Sequence, residues 1–309
     1  MNVDIVVVSY NTRDILATCL RSIAATCRNF KRIRTIVVDN ASTDGSADMV
    51  RRVAPRAHLI ELDRNLGFGP ANNRGMAAGD APYVLFLNSD AELTAGAVDT
   101  LASFLDQHPD CVAVGPRLVH PDQSFHPSLR RYRTVLRNFW NTAGLHVRYP
   151  RLLTSLHDWL REDEHVSGRR VHLISGACMM MRRDYVESIG GFDENVFLYE
   201  EEMDVLLPAK RKRKQVCYCG EATVIHHHGA SSGEMKQPSD TVLLHAYRSK
   251  YYVYRKHRGR IRARLLYWSD RIPFGLSALL NRLRKRQAPS ARHFAYCRWG
   301  FIESFNKVK

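Results

Sequence analysis

Asp90 closes the run Tyr83-Val84-Leu85-Phe86-Leu87-Asn88-Ser89-Asp90, with Asn88 two positions before it and Glu92 two after. A carboxylate flanked by an amide and a second acid suits a hard divalent cation that also holds a phosphate. The same residues suit a strand-to-helix turn in which Asp90 merely caps a helix beginning near Ala95, and from these residues alone the two readings stand even. More acids gather at Glu200-Glu201-Glu202-Met203-Asp204, four in five positions. Their mutual repulsion predicts a raised pKa or a facing cation, unless a helix dipole absorbs part of the charge. His226-His227-His228 ends a strand-like stretch in which His226 and His228 share a face, and one of them is the expected last protein ligand of a cation at Asp90. Cys217 and Cys219 lie just ahead, but C-x-C followed by three histidines lacks zinc-finger spacing.

These groups need elements to aim them. The run Tyr83 to Leu87 is apolar throughout, as a strand buried on both faces requires, which leaves Asn88 and Asp90 at its carboxyl end. Asp4 to Val8 is a second such run and ends in Ser9, Tyr10 and Asn11, before Ile15, Leu16, Leu20 and Ile23 at helical spacing. Thr35 to Val38 is a third, ending in Asp39 and Asn40, with a turn and helix cap in Ala41-Ser42-Thr43-Asp44-Gly45-Ser46. A short strand, His58 to Leu62, leads to Asn65-Leu66-Gly67-Phe68-Gly69-Pro70-Ala71-Asn72-Asn73-Arg74-Gly75, expected as a loop whose glycines admit close backbone approach and whose amides suit a phosphate or base. Strands alternating with helices predict an α/β fold with a parallel, doubly wound sheet, in which ligands sit at the carboxyl edge. No G-x-G-x-x-G follows the first strand, so a dinucleotide fold is not expected. The alternative for Asp39 and Asn40 is a plain turn-forming role. Further on, Val171 to Met181 reads as a strand interrupted by Gly176 and Ala177, which leave room for a substrate, and Val216 to Cys219 and Ala222 to Ile225 read as two short strands. Residues 120–170 are rich in Arg and poor in periodicity; they are expected to fold over the site, with no role legible. Lys210 to Lys214 reads as a solvated basic face, and Pro208 sits awkwardly within a helical stretch.

Lys and Arg number 46 against 31 Asp and Glu, a net charge of +15, which favours anionic partners: phosphates, acidic lipid or nucleic acid. No nucleic-acid module is recognisable, and acids at the strand tips repel a nucleic-acid backbone. The seven cysteines form no secreted framework, the chain enters a strand pattern at Val3, and no apolar run reaches the roughly 18 residues of a spanning helix. A cytoplasmic protein, peripheral at most on a membrane, is expected. From Pro238 onward tyrosines, tryptophan and arginines interleave, which reads either as a basic amphipathic region for an anionic membrane surface or as a helical tail covering the first part.

Val8-Ser9-Tyr10-Asn11, Val38-Asp39-Asn40-Ala41-Ser42, Asn65-Leu66-Gly67-Phe68, Leu87-Asn88-Ser89-Asp90, Gly190-Gly191-Phe192-Asp193-Glu194 and the Glu201-Glu202-Met203-Asp204 segment, in this order, closely resemble family 2 glycosyltransferases, in particular bacterial rhamnosyltransferase-like enzymes. The resemblance implies a GT-A fold over about residues 1–235, with a nucleotide-sugar half to about 118 and an acceptor half from 119, followed by a basic helical region at 236–309. It implies a dTDP- or UDP-sugar donor, Mg²⁺ or Mn²⁺, and a glycan or lipid-linked acceptor, with L-rhamnose the leading sugar. By this similarity Asp39 reads the pyrimidine, and Ser9, Tyr10, Asn11, Asn65, Gly67 and Asn72 line the donor site. Asn88 replaces the first Asp of the usual D-x-D and Asp90 binds the metal, with His226 or His228. Glu202 takes the position of the family's base, Glu201 is its reserve, Gly176 and Ala177 serve the acceptor side, and Asp204 orients either the helix or the acceptor. Pro208 and Arg213 depart from the family's usual helix and strand junction. The rival reading is a nucleotide-binding or membrane-surface scaffold without catalysis.

Overall fold

The computed structural model describes residues 2–26, 33–227, 239–283 and 289–306. The chain runs β1 (Val3–Ser9), α1 (Arg13–Thr26), β2 (Ile33–Asp39), α2 (Ser46–Val53), β3 (His58–Glu61), α3 (Phe68–Ala77), β4 (Tyr83–Asn88), β5 (Ala91–Leu93), α4 (Ala97–Gln107) and β6 (Cys111–Val119). An Arg-rich stretch then holds β7 (Phe125–His126), β8 (Leu129–Arg130), α5 (Val135–Thr142) and α6 (Leu145–Arg148). It is followed by β9 (Arg170–Val171), β10 (Leu173–Ile174), β11 (Cys178–Arg182), α7 (Arg183–Ser188), α8 (Glu201–Arg211) and β12 (Gln215–His226). Three long helices close the described chain: α9 (Asp240–Arg258), α10 (Arg260–Leu283) and α11 (Pro289–Asn306).

The main sheet has the order β3-β2-β1-β4-β11-β6-β12-β5, while β8 and β10 form a separate pair. β3, β2, β1 and β4 are mutually parallel, β11 runs antiparallel to β4 and β6, and β12 is parallel to β6. Alternation along each central strand divides the core in two. Val3, Ile5, Val7, Leu85 and Leu87 point toward α1, α2 and α4, whereas Val6, Val8, Val84 and Phe86 meet the α3 and α8 side. Both faces are covered, which is why these strands read as unbroken apolar runs.

Several local expectations are corrected. Asp90 does not cap the following helix: α4 begins at Ala97 with Gly96 as its cap, and the three-residue β5 intervenes. The two short strands expected near 216–225 are one strand, β12, irregular between Cys219 and Thr223. The strand expected from Val171 divides into β9, β10 and β11, turning at Ser175 to Ala177. α8 continues through Pro208 to Arg211.

The C-terminal helices are tied to the rest through buried charge. Asp270 of α10 is fully buried and accepts from Asn138 and Thr142 of α5, each at 2.8 Å, and from Tyr251 of α9 at 2.7 Å. Lys250 of α9 pairs with it at 2.7 Å. Tyr247, Tyr251 and Tyr254 pack inward with Leu266, Tyr267 and Cys297, so the aromatic run of α9 is core and not surface.

Candidate active site

The strand tips meet at one edge. Ser9 pairs with Asp39 in register and Val8 with Asn88, so the ends of β1, β2 and β4 are neighbours. Asp39 is buried; its Oδ2 accepts the Ser42 backbone N–H at 3.1 Å, and its Oδ1 has no hydrogen-bond partner among the described residues. Buried oxygens are rarely left so. Asn11, at φ 53°, accepts the Thr43 N–H at 2.8 Å while its own N–H reaches Ser42 Oγ, locking the first two tips together. Ser9 is buried against Thr12 at 2.8 Å, whereas Tyr10 is exposed.

The loop before α3 is built by amides. Asn40 Nδ2 donates to Asn65 Oδ1 at 2.8 Å, and the Gly67 N–H donates to the same oxygen at 2.9 Å. Gly67 has φ +90°, and a Cβ there would lie 2.3 Å from the Phe197 carbonyl oxygen. The neighbouring Phe68 N–H donates to that oxygen at 2.9 Å, so this contact seats the loop directly on the segment leading to α8. Gly67→Ala should therefore lower stability by about 2–3 kcal/mol, from forced positive φ plus backbone overlap. An unchanged urea midpoint would show that the two loops are not pressed together. Asn72 is buried, donating to the Phe68 carbonyl at 3.0 Å, with Oδ1 unpartnered among the described residues. The stretch from Phe68 to Gly75, expected as loop, is instead the body of α3, and Asn73, one of the amides expected to meet a ligand, clamps Phe192 through its backbone, donating to the oxygen at 2.8 Å and accepting from the N–H at 2.9 Å.

Beyond β4, Asp90 is buried with His226 Nε2 at 3.3 Å from Oδ1, and its backbone oxygen accepts the His227 N–H at 2.9 Å. Antiparallel pairing of β5 with β12 makes this meeting, with Ala91 opposite His226. Two ligands of one cation at about 2.1 Å and a right angle stand about 3 Å apart, so Asp90 and His226 fit Mg²⁺ or Mn²⁺. Among the described residues no group of three His, Cys, Asp or Glu side chains suited to a metal occurs. Such cations ordinarily complete their shell with substrate phosphates and water. His228 lies outside the described residues. Glu92 is taken up by His227. Behind His226 stands His126, whose Nε2 is 3.3 Å from His226 Nδ1, another contact with no trace in the sequence because a hundred residues separate the two. Cys217 and Cys219 are buried free thiols.

The acids of α8 are sorted by their partners. Glu200 pairs with Arg133 at 2.5 Å; burial opposes its ionisation, but Arg133, Arg130 and Lys250 outweigh this and hold its pKa below the ordinary range. Burial pushes Glu201 well above that range, with Glu202 and Glu200 adding to the effect. Glu201 lies against the first turn of α3, its Cγ 3.6 Å from where a Cβ on Gly69 would stand. Burial also raises Glu202, but Arg130, at 3.0 Å, favours its ionised form. Arg130 and Arg133 come from the stretch whose role was not legible. Glu202, Glu200, Arg130, Arg133 and Lys250 line a cavity of about 260 Å³. A larger concavity of about 930 Å³, lined by Asn2, Asp4, Arg34 and Asp80, opens at the amino ends of β1 and β2, the edge opposite the strand tips.

Asp204 stands apart from this cavity. Its oxygens are held by His257 Nε2 at 2.7 Å and Lys256 Nζ at 2.9 Å, both on α9, so these contacts tie α8 to α9. Gly176 has open space where a Cβ would be, and the Ala177 carbonyl accepts the Asn88 N–H at 2.9 Å, which puts this turn beside the β4 tip. The basic run after α8 turns away from the acids, with Arg211 donating to the His257 carbonyl at 2.8 Å and Lys214 near Asp110 at 3.8 Å.

A sheet of this order is the GT-A glycosyltransferase fold. The mannosyltransferase PcManGT from Pyrobaculum calidifontis, solved with GDP-Man and Mn²⁺, matches with a TM-score of 0.60 at 17% identity over 99% of this chain and 88% of that one. S. aureus TarS 1–349, solved with UDP-GlcNAc, matches with a TM-score of 0.58 at 15% identity over 98% of this chain and 81% of that one. The sequence profile of glycosyl transferase family 2 matches residues 4–190, and the chain belongs to that family of enzymes. It is 28% identical over 312 residues to an N-acetylglucosaminyl-diphospho-decaprenol L-rhamnosyltransferase of Mycobacterium tuberculosis, covering 94% of this chain and 98% of the relative. To the O-antigen chain rhamnosyltransferase WbaN of Salmonella anatum it is 24% identical, over 68% of this chain and 62% of that one.

Proposed function

We propose that this enzyme transfers a sugar, with L-rhamnose from a dTDP donor the leading case, to a lipid-linked glycan acceptor in cell-surface glycan synthesis, with inversion at the anomeric carbon. The full-length likeness to the mycobacterial relative supports the choice of sugar and of a lipid-linked acceptor. The observation that carries the donor site is the buried, unpartnered Oδ1 of Asp39 at the carboxyl edge of the sheet, an acceptor suited to a pyrimidine N–H. Ser9, Asn65, Gly67 and Asn88 surround that edge. Asp90 and His226 would hold Mg²⁺ or Mn²⁺, which when bound neutralises diphosphate oxygens and improves the leaving group.

Two neighbouring carboxyls with different environments divide the remaining work. Glu201, whose protonated form burial and the neighbouring Glu202 favour, packs against the first turn of α3. Glu202, kept toward the ionised form by Arg130, accepts the proton of the acceptor hydroxyl. As that oxygen bonds to the anomeric carbon, the bond to the diphosphate breaks on the opposite face, and the nucleoside diphosphate leaves with the electron pair. The acceptor's lipid places this event at a membrane surface, where the enzyme works as a peripheral protein. Among the described residues no helix is long and apolar enough to cross a membrane.

The test is nucleotide release from a panel of dTDP- and UDP-sugars, with a diphospholipid-linked N-acetylglucosamine acceptor, with and without Mn²⁺. One donor should be consumed, and Asp39→Ala should raise its KM by about tenfold or more, the loss of a hydrogen bond to a buried charged group. A protein that binds nucleotide but releases none with any pair would be the scaffold of the rival reading.

A further inference from the structure

We propose that α10 lies in the plane of an anionic lipid bilayer, with an exposed apolar stripe among the acyl chains and its arginines at the headgroups. This rests on the surface of α10 and needs nothing from the donor chemistry above. Ile261, Leu265, Trp268, Ile272, Leu276 and Leu279 are each between 49% and 75% exposed. At 3.6 residues per turn they fall within an arc of about 80°, along a helix that extends about 36 Å. The opposite face is already satisfied, since Ala263, Leu266, Tyr267, Asp270 and Pro273 are its buried residues. The stripe therefore takes no part in the core, and a continuous apolar surface of this length marks a contact with something else.

Charge chooses the occupant. α10 carries five arginines, and its sole acid, Asp270, is fully buried. Arg264 and Arg282 border one side of the stripe and Arg262 the other, by the same helical geometry, while Arg271 stacks on Phe294 of α11. A second copy laid along this face would set arginine borders against each other, without the acids that complementary helix pairs place there. An anionic headgroup layer meets both requirements, contributing about fivefold in binding for each arginine near the surface. Trp268 in the stripe, and Trp299 at 62% exposure on α11, suit the headgroup boundary. The helix is too polar to span, so the in-plane arrangement is the one left to it.

The experiment is flotation of the full chain with vesicles of phosphatidylcholine alone or mixed with phosphatidylglycerol. The protein should float with the mixed vesicles and not with the neutral ones, and added salt should release it. Leu276→Asp with Leu279→Asp should abolish flotation, with the helical circular dichroism unchanged. Arg264→Glu with Arg282→Glu, at exposed positions, should weaken flotation by at least about tenfold and decides the matter if the aspartate pair fails to fold. Wild-type protein that stays unbound with phosphatidylglycerol overturns the proposal. So does a concentration-dependent dimer in sedimentation that the aspartate pair dissolves, which would assign the stripe to a second copy. Neither readout involves a sugar donor, so failure here is distinct from failure of the transferase reading.

Discussion

Glu202→Gln should lower kcat by about 10²–10⁴-fold while leaving the affinity for the sugar donor within a few-fold of wild type, the signature of a lost general base. Glutamine keeps the size and hydrogen-bonding reach of the side chain but cannot take a proton. The pH dependence tests the same assignment from another side. The base acts when ionised, so kcat/KM rises with pH through the pKa of free Glu202. Burial raises that pKa and Arg130 opposes the rise, which sets the acid limb above the ordinary carboxylate range. Arg130→Gln removes the opposing charge and should move the limb to higher pH with kcat partly retained at its plateau. A limb that stays in place, or a Glu202→Gln enzyme with wild-type turnover, would transfer the role to another group. Glu201→Gln is the control: a carboxyl whose protonated form is favoured by burial loses little on becoming an amide.

Asp270→Ala is expected to cost about 3–5 kcal/mol of stability, read from the urea midpoint, because it strands a buried cation. Lys250, Tyr251, Asn138 and Thr142 all direct hydrogens at this one carboxylate. Pairing the change with Lys250→Met should recover much of the loss, since no unpaired charge then remains. Burial alone would raise the Asp270 pKa, but Lys250 and the hydrogen bonds from Lys250, Tyr251 and Asn138 outweigh it, and the folded value is lowered. The sign follows directly: the contribution is complete above the unfolded value of about 3.9 and is lost as pH falls through the lower folded one. The deficit of Asp270→Ala against wild type should therefore shrink at acid pH. A deficit below about 1 kcal/mol at neutral pH would mean that the α5, α9 and α10 junction is held by apolar contacts alone.

What could be read in the chain follows from how local each signal is. β1, β2 and β4 are covered on both faces, so their sequences are apolar without interruption and their polar tips stand out. The same contrast exposed Asp39, Asn88 and Asp90, and crowding alone singled out the acids from Glu200 to Asp204. The partners of those acids were hidden. Arg130 and Arg133 sit 72 and 67 residues before Glu202 and Glu200, in a stretch with no period to betray its fold. Asp204 looked like part of the same acidic group, yet its side-chain partners lie on α9, 52 and 53 residues later. β5 is three residues long, too short to register against the cap-like Asp90, and its pairing with β12 is what carries His226 to that carboxylate. In the last third the interleaving of tyrosine and arginine was visible, but only packing separates α9, whose rings turn inward, from α10, whose apolar stripe faces out.

The tie from Asp204 to Lys256 and His257 has a consequence for how the protein is made. A nascent chain extended only through β12 already contains every strand of the main sheet, yet it still carries a carboxylate destined for burial whose hydrogen-bond partners on α9, Lys256 and His257, have not been synthesised. The acidic helix cannot settle at low cost until α9 emerges from the ribosome, so the reacting end of the molecule gains its rigidity only after translation has moved well beyond it.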